Sequence, residues 1–581
     1  MEFKELVIKN YRNFSDIDIN LSNRNVIFGM NDVGKTNMLQ AIRTLFDRKV
    51  RSKGFVPSDY YKNNTAVPIQ IIIKFDISDR EENTGKGEDS KLLISRIIGA
   101  RNNLEYPDSF VIKLEGIYNE VELFGNPILY WGTTLEDLVP IPNKGQTLAI
   151  DNIFHVEYVT PALTLENTFK KNRRQLFKEE TKNDDDLKIE ENIENNIKDL
   201  NNNIGKLEIV KKVQEELTSG YKEFRDEPMN IELQSEVSIN GYLDNLTPYI
   251  KWNNDGNYYP TGGDGRKKLL SYALTKIITE KMNDLRIVVY LIEEPENSLH
   301  RSMQMALSHQ LFNQQVYNYF FLTTHSSEIL YEMDDTQLIR ISNLGNSNGK
   351  SSHYDVPSQY RTLKKKLNKG LSQAIFYNTV LLVEGSSEFC LFESLFELVY
   401  PEMEIDGKSI LQVDGVNFEP YTKLFDKLNI TYFVKTDNDL QKVKGTPNEF
   451  MLTGFNRSLK IIGSTPKKNI IIESFEETDE TEKVRKIKDK KKQIYSEYYD
   501  DITSLANQKI FLSEIDLEHD LFSSIPQKMK EITEKDNPVN WLQTRKLYNM
   551  VDFVEHLDEP LAKKIIQKTR VLEEFMEVGE H

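Results

Sequence analysis

The amino-acid sequence predicts a multidomain α/β protein, and three observations carry that expectation. A glycine-rich phosphate-binding string follows an apolar strand near the start of the chain, and a second apolar strand near residue 290 ends in two glutamates. From Val380 onward, short apolar runs alternate with helical patterns and repeatedly end in acids, the signature of parallel strands joined by crossover helices. At 581 residues the chain is too long for one core; about three or four units of roughly 100 to 200 residues are expected.

Composition narrows the class. Hydrophobic residues at 39% and aromatics at 10% exclude a disordered chain, and charged residues at 28% suit a soluble one. The opening MEFKELVIKN has no uninterrupted apolar segment, and no later run approaches the roughly 20 apolar residues of a membrane helix. The expectation is a cytoplasmic protein without a signal peptide or membrane span. Cys390 is the single cysteine, so neither an intrachain disulfide nor a cysteine-based zinc site can form within one chain, which fits a reducing cytosol. The net charge of −17 argues against a uniformly positive nucleic-acid coat. Two basic runs interrupt it, Arg361 to Lys369 (RTLKKKLNK) and Lys483 to Lys492 (KVRKIKDKKK). Such runs are more often solvated faces than phosphate contacts.

The elements follow in order. Strands are expected at Lys4–Lys9, Ile17–Leu21, Asn25–Phe28, Ile69–Phe75 and Ser109–Leu114, in a first segment covering 1–162. Between 163 and 235 the chain turns rich in Glu, Asp, Lys and Asn. There Ile189, Ile193, Ile197, Leu200, Ile204 and Leu207 recur at spacings of three and four, which predicts a helical insertion used for self-association. Strands return at Ile287–Ile292 and Tyr319–Thr323 in a segment 236–349. A basic linker, 350–375, leads to a last domain, 376–581.

The sharpest motif is Gly29-Met30-Asn31-Asp32-Val33-Gly34-Lys35-Thr36, a full Walker A string between the strand Val26–Phe28 and a helix with Met38, Ala41, Ile42, Leu45 and Phe46 on one face. Gly29 and Gly34 let backbone N–H groups curl around phosphates. Lys35 places a positive charge on the β- and γ-phosphates, and Thr36 offers a hydroxyl to Mg²⁺. Asn31, Asp32 and Asn37 complete the expected ATP-binding loop. Ile287 to Glu294 reads as Walker B, Glu293 binding the ion and Glu294 polarising the attacking water. A strand from Phe320 ends near His325, about 30 residues after Glu294, and Thr261-Gly262-Gly263-Asp264 opens a helix. These resemble the H-loop and signature of ABC-type ATPases, which implies a head-to-head dimer with Gly263 reaching nucleotide held by the opposite copy. The signature departs from Leu-Ser-Gly-Gly-Gln, Glu293 replaces the commoner Asp, and Gln70 is a weak match to a Q-loop glutamine. Slow or absent hydrolysis is therefore expected, with nucleotide acting as a conformational ligand.

In the second half, Val380-Leu381-Leu382-Val383-Glu384-Gly385 leads to Glu388 at a helix start. Leu411–Val413 precedes Asp414-Gly415, Tyr432–Lys435 precedes Asp437 and Asp439, and Ile510–Leu512 precedes Glu514, Asp516 and Glu518. In an open parallel sheet such strand ends share one crevice. Clustered carboxylates need cations, and hard oxygen ligands select Mg²⁺ or Mn²⁺. The series resembles the TOPRIM pattern, and that resemblance implies Glu384 as ligand or general base, with Glu388, Asp437 and Asp439 serving one ion and Asp516 and Glu518 a second. The order of ATPase motifs followed by TOPRIM resembles the OLD (overcoming lysogenization defect) nucleases over nearly the whole chain. Strings such as NVIFGMNDVGKTN, YLIEEPENSLHRSMQ, KTDNDL, LSEIDLEHDL and TRKLYNMV look more narrowly like the nuclease subunits of Gabija anti-phage systems. That resemblance implies nicking of double-stranded DNA restrained by nucleotide, Lys546 as a catalytic lysine, a homotetramer, and a UvrD-like helicase partner. The competing expectation is a RecF- or SMC-like clamp with a structural acid cluster, although the insertion is too short for an SMC coiled coil. Another TOPRIM chemistry, strand passage or primer synthesis, would need a nucleophilic tyrosine or commonly a zinc module.

Overall fold

The computed structural model describes residues 1–30, 32–81, 88–97, 105–144, 147–162, 164–176, 184–224, 248–251, 257–260, 263–282, 286–314, 317–343, 347–413, 417–476 and 478–578. Asn31, Thr261, Gly262, Asp414 and Gly415 lie outside them. Two compact units emerge. The first comprises Met1–Thr160, Arg286–Glu296 and Gln304–His581, and the second Pro161–Leu285 and Asn297–Met303.

In the first unit the chain opens with β1 (Glu2–Tyr11), β2 (Phe14–Asn20), β3 (Arg24–Phe28) and α1 (Lys35–Phe46). There follow β4 (Ile69–Asp76), β5 (Ser109–Asn119), β6 (Phe124–Gly132), the short β7 (Val139–Pro140) and β8 (Phe154–Val159). The order β2-β1-β4-β5-β6-β7 makes an antiparallel sheet. In β2 the pattern is alternately buried and exposed, as expected of a strand with one face on a core.

The second unit holds helices α2 (Leu165–Leu176), α3 (Asp184–Gly205), α4 (Glu208–Phe224) and α5 (Asp264–Met282), with a small ribbon pairing Tyr249–Lys251 with Tyr258–Pro260. α2 packs on α5, and Glu166 pairs with Lys267 at 2.7 Å. Ile189, Ile193, Ile197, Leu200 and Ile204 of the predicted stripe lie on α3, whereas Leu207 falls in the break before α4; Ile189, Leu200 and Leu207 are half or more exposed.

Returning to the first unit, β9 (Ile287–Glu293), β10 (Phe320–Thr323), β11 (Thr336–Asn343) and β12 (Ser347–Tyr354) join β3 and β8 in the order β8-β9-β10-β3-β11-β12. All but the β11–β12 pair are parallel. Pairing of Glu293 with Thr323 and of Thr323 with Ile27 levels three strand ends at one edge.

The chain then builds β13 (Thr379–Val383), α6 (Ser386–Val399), β14 (Lys408–Gln412) and β15 (Thr431–Thr436). After α7 (Thr453–Ile461) and α8 (Glu480–Glu497) come β16 (Ile510–Leu512), α9 (Leu517–Ser524) and α10 (Lys546–Val554). A four-stranded parallel sheet results, β14-β13-β15-β16. Every residue of β13 is buried, as expected for a strand covered on both faces; Leu381, Val383, Phe433 and Phe511 pack with Leu391, Leu395 and Phe575 from flanking helices. Burying each such side chain contributes about 1.5–3 kcal/mol. Among the described residues no helix is long and apolar enough to cross a membrane.

Candidate nucleotide and carboxylate sites

The phosphate loop runs from the end of β3 into α1. Gly34 has φ 109°, where a side chain is strained, and a Cβ there would lie 2.1 Å from Asn13 Nδ2. Asn13 sits in the β1–β2 turn, donates to Val33 O at 2.7 Å, and accepts from Asn37 at 2.7 Å. Arg12 beside it donates to Asn37 Oδ1 at 3.0 Å. The loop is thus buttressed by a hairpin turn that carries no motif.

Lys35 is buried and donates to Gly29 O at 3.0 Å and Met30 O at 2.7 Å. Burial pulls its pKa down, against the opposing charges of Glu294 and Asp32. Thr36 Oγ1 donates to Glu293 Oε1 at 2.5 Å, and Tyr158 at the end of β8 donates to Glu293 Oε2. Tyr158 also lies under the Arg43 guanidinium, 4.1 Å from ring centroid to Cζ. Glu294 takes a positive φ of 41°, its N–H bonded to Thr323 O. His325 follows β10; burial and then Lys35 lower its pKa, favouring a neutral imidazole. Glu296 accepts from the His325 N–H at 2.7 Å and the Thr324 hydroxyl at 2.8 Å. Gly29, Asp32, Gly34, Lys35, Thr36, Asn37, Glu293, Glu294 and His325 therefore belong to one set of adjoining strand ends. These donors fit a nucleotide with a divalent ion. Gln70 instead bonds Glu115 across the antiparallel sheet at 3.2 Å. Gly263 precedes α5 in the second unit, exposed, with open space where a Cβ would be.

The carboxylate site occupies the C-terminal edge of β13, β15 and β16. Glu384 Oε1 accepts from the Asp437 N–H at 3.1 Å and from the Thr436 hydroxyl, while Oε2 accepts from Arg457 at 2.8 Å. Arg457 also lies 3.7 Å from Asp439. It reaches there because α7 packs directly on the acid turn; a Cβ on Gly454 would sit 1.9 Å from Asp437 O. Behind Asp437, Ser513 donates to its Oδ1 at 3.0 Å. Buried Lys435 donates to Ser513 Oγ and to Asp520, each at 2.6 Å. Lys491 lies 3.6 Å from Asp439 Oδ1. Asn438 Oδ1 is buried without a partner among the described residues.

Electrostatics tie the acids together. Burial, then the charge of Glu388, pushes the Asp437 carboxyl well above its ordinary range. Glu388 is raised by burial and then by Glu384, and Glu518 by burial and then by Asp516. Lys546, the first residue of α10, is drawn up by Glu518, Asp437, Glu388 and Asp439 despite the opposing effect of burial. Asp516 differs. It caps α9, Oδ1 accepting from the His519 N–H at 3.0 Å and bonding its ring, while Oδ2 accepts from Gln543 at 2.9 Å. Burial raises its pKa, but the His519 contacts outweigh that and bring it down.

No three of these acids bring one oxygen each within 4.8 Å of one another. The triple that does so among the described residues is Asp335, His353 and Asp355, exposed at the open end of the β11–β12 hairpin. The predicted acids nevertheless share one field, and their all-oxygen donor set is of the kind that fits a hard divalent cation. Sequence reading gave no role to Arg457, Lys435 and Ser513, the lysine inside the apolar run TYFVKT being the available signal for Lys435, and took Lys491 only as part of the basic run Lys483 to Lys492.

The AAA ATPase domain model matches residues 1–121 and 160–330, and the overcoming lysogenization defect protein-like TOPRIM domain model matches 375–439. The chain is 45% identical over 557 residues to Endonuclease GajA of Bacillus cereus (strain VD045), covering 96% of each. The SMC head domain from Thermotoga maritima is 15% identical, covering 61% of this chain and 100% of that one at a TM-score of 0.30. The C-terminal region of the Burkholderia pseudomallei OLD protein is 19% identical, covering 35% and 99%, at a TM-score of 0.22.

Proposed function

Since the chain, an ATPase domain followed by an OLD-like TOPRIM domain, belongs to the family of the GajA endonucleases, we propose that it nicks double-stranded DNA with Mg²⁺ or Mn²⁺, gated by ATP, in anti-phage defence. The observation that carries this reading is the shared field of Glu384, Glu388, Asp437, Asp439 and Glu518 with Lys546 at the edge of the parallel sheet.

In this reading Glu384, Glu388, Asp437 and Asp439 hold one ion, and Glu518 with Asp516 serves a second. A bound divalent ion supplies Lewis acidity and an activated water. Thr436 and the Asp437 N–H orient Glu384, and Lys435 acts through Ser513 to orient Asp437. Lys546 and Arg457 place positive charge beside the phosphate that gains negative charge in the transition state. At the nucleotide site Lys35, Thr36 and Asn37 would hold ATP, Glu293 its ion, and Glu294 and His325 would serve the hydrolysis or sensing of the γ-phosphate. Gly263 acts on nucleotide held by another copy. The exposed Ile189, Leu200 and Leu207 supply apolar surface for self-association, a tetramer being the family's expectation. A UvrD-like helicase partner, cytoplasmic location and the domain bounds 1–162, 163–235, 236–349, 350–375 and 376–581 belong to the same proposal.

The test is cleavage of supercoiled and linear DNA with Mg²⁺ across an ATP titration, comparing wild type with Glu384→Ala and Lys35→Ala. Loss of cleavage in the first, with an altered ATP response in the second, supports a gated nuclease. Wild-type protein that cuts no DNA with either ion overturns it.

A further inference from the structure

The two basic runs meet different fates. In the first, Arg361 pairs with Asp334, and Lys364 and Lys365 share Glu332 at 3.7 and 3.0 Å, so three of its five cations are committed at home. The second run lies on α8, where its N-terminal half is likewise committed. Lys483 pairs with Glu480 at 3.0 Å, Arg485 with Glu482 at 2.7 Å, and Lys486 donates to Glu473 O and Ser474 O.

The C-terminal half differs. Lys491 is buried, donates to Ile515 O at 3.2 Å and reaches to 3.6 Å from Asp439. Its own carbonyl accepts from Asn438 at 3.1 Å, so backbone and side chain both pin the helix to the acid turn. At about 100° per residue, Lys488 and Lys492 fall on one side of Lys491 and one turn apart. Neither forms an ion pair among the described residues, and Lys492 is exposed.

We propose that the face of α8 bearing Lys488 and Lys492 is the track on which the DNA backbone rests beside the carboxylate site. This rests on the nuclease reading. A chain of net charge −17 repels DNA except where unpaired cations are focused. Lys491 lies 3.6 Å from Asp439, which sets this half of α8 beside a phosphate held at Asp437 and Asp439. The neighbouring phosphates then meet Lys488 and Lys492, while Lys491 anchors the helix.

The experiment uses the full chain and a labelled duplex in Ca²⁺, read by fluorescence anisotropy from low to high salt, with cleavage in Mg²⁺ followed separately. Lys488→Glu with Lys492→Glu is compared with Lys483→Glu and Arg485→Glu on the committed half. The first pair is expected to weaken binding roughly tenfold or more and to flatten the slope of log Kd against log salt by about 1.8, at about 0.9 per lost phosphate contact. Lys488→Gln with Lys492→Gln should flatten it similarly, while the second pair stays within about twofold of wild type. Equal losses from both glutamate pairs, or an unchanged slope in the first, overturn the track. Wild-type protein that neither binds nor cuts DNA overturns the nuclease reading itself.

Discussion

The phosphate loop and the carboxylate cluster lie in one compact unit but are built on opposite principles. At the loop, contiguous residues 29–36 wrap their own backbone, and the principal cation, Lys35, bonds two carbonyls of that loop. At the cluster, acids from β13, β15, α6 and α9 are brought together from afar and held by cations from β15, α7, α8 and α10. An assembled site of buried acids depends on each of its cations, because a buried charge without its partner is costly.

The largest effect should come from crossing the two sites. Glu384→Gln is expected to lower Mg²⁺-supported cleavage on the order of a thousandfold while leaving ATP binding intact. Lys35→Ala should abolish ATP binding while leaving ATP-free cleavage within about threefold of wild type. Paired cleavage and nucleotide-binding measurements check both, and a Glu384→Gln protein that also loses ATP would break the comparison. Next, Lys435→Met leaves Asp520 and Ser513 without their shared cation and should cost about 3 kcal/mol in denaturant unfolding. A loss under about 1 kcal/mol would show that the assembled site does not need this cation.

Arg457→Ala should reduce cleavage roughly ten- to a hundredfold with Mn²⁺ affinity unchanged or tighter, since a competing positive charge has gone. Arg457→Lys should recover part of it, lacking the planar fork. A parallel fall in Mn²⁺ affinity by calorimetry would instead make Arg457 a support for the acids.

The smallest effects separate the acids by sign. Glu388 has its folded pKa raised by burial and then Glu384, so its contribution to stability is lost as pH rises above the unfolded carboxyl range. Glu388→Gln should therefore raise Tm by a few degrees at neutral pH while cleavage falls. Asp516 has a lowered folded pKa, its stabilisation being present above the unfolded pKa and lost as pH falls through the folded one. Asp516→Asn should lower Tm at neutral pH, the gap closing in acid. Thermal melts from pH 3 to 7 check both, and shifts of the same sign would remove the distinction.

How far each site was legible follows from the same contrast. Gly29 to Thr36 could be read directly because the motif is its own geometry: strand, tight loop and helix in consecutive residues. Glu384, Asp437 and Asp439 were legible as strand ends, since each follows an apolar run at the point where parallel strands open a crevice. Asp516 was legible as an acid but not as a helix cap, a role that depends on His519 and Gln543 folding around it.

The sequence by itself determined the α/β class, the phosphate loop and the edge on which the acids gather, because strand periodicity and glycine placement are local properties. Tertiary structure decided which cations serve those acids. Arg457 reaches Glu384 because Gly454 lets α7 touch the Asp437 turn, and Lys491 reaches Asp439 because α8 docks there. Partnership between charges depends on distance through a low-dielectric interior, which residue spacing along the chain does not encode.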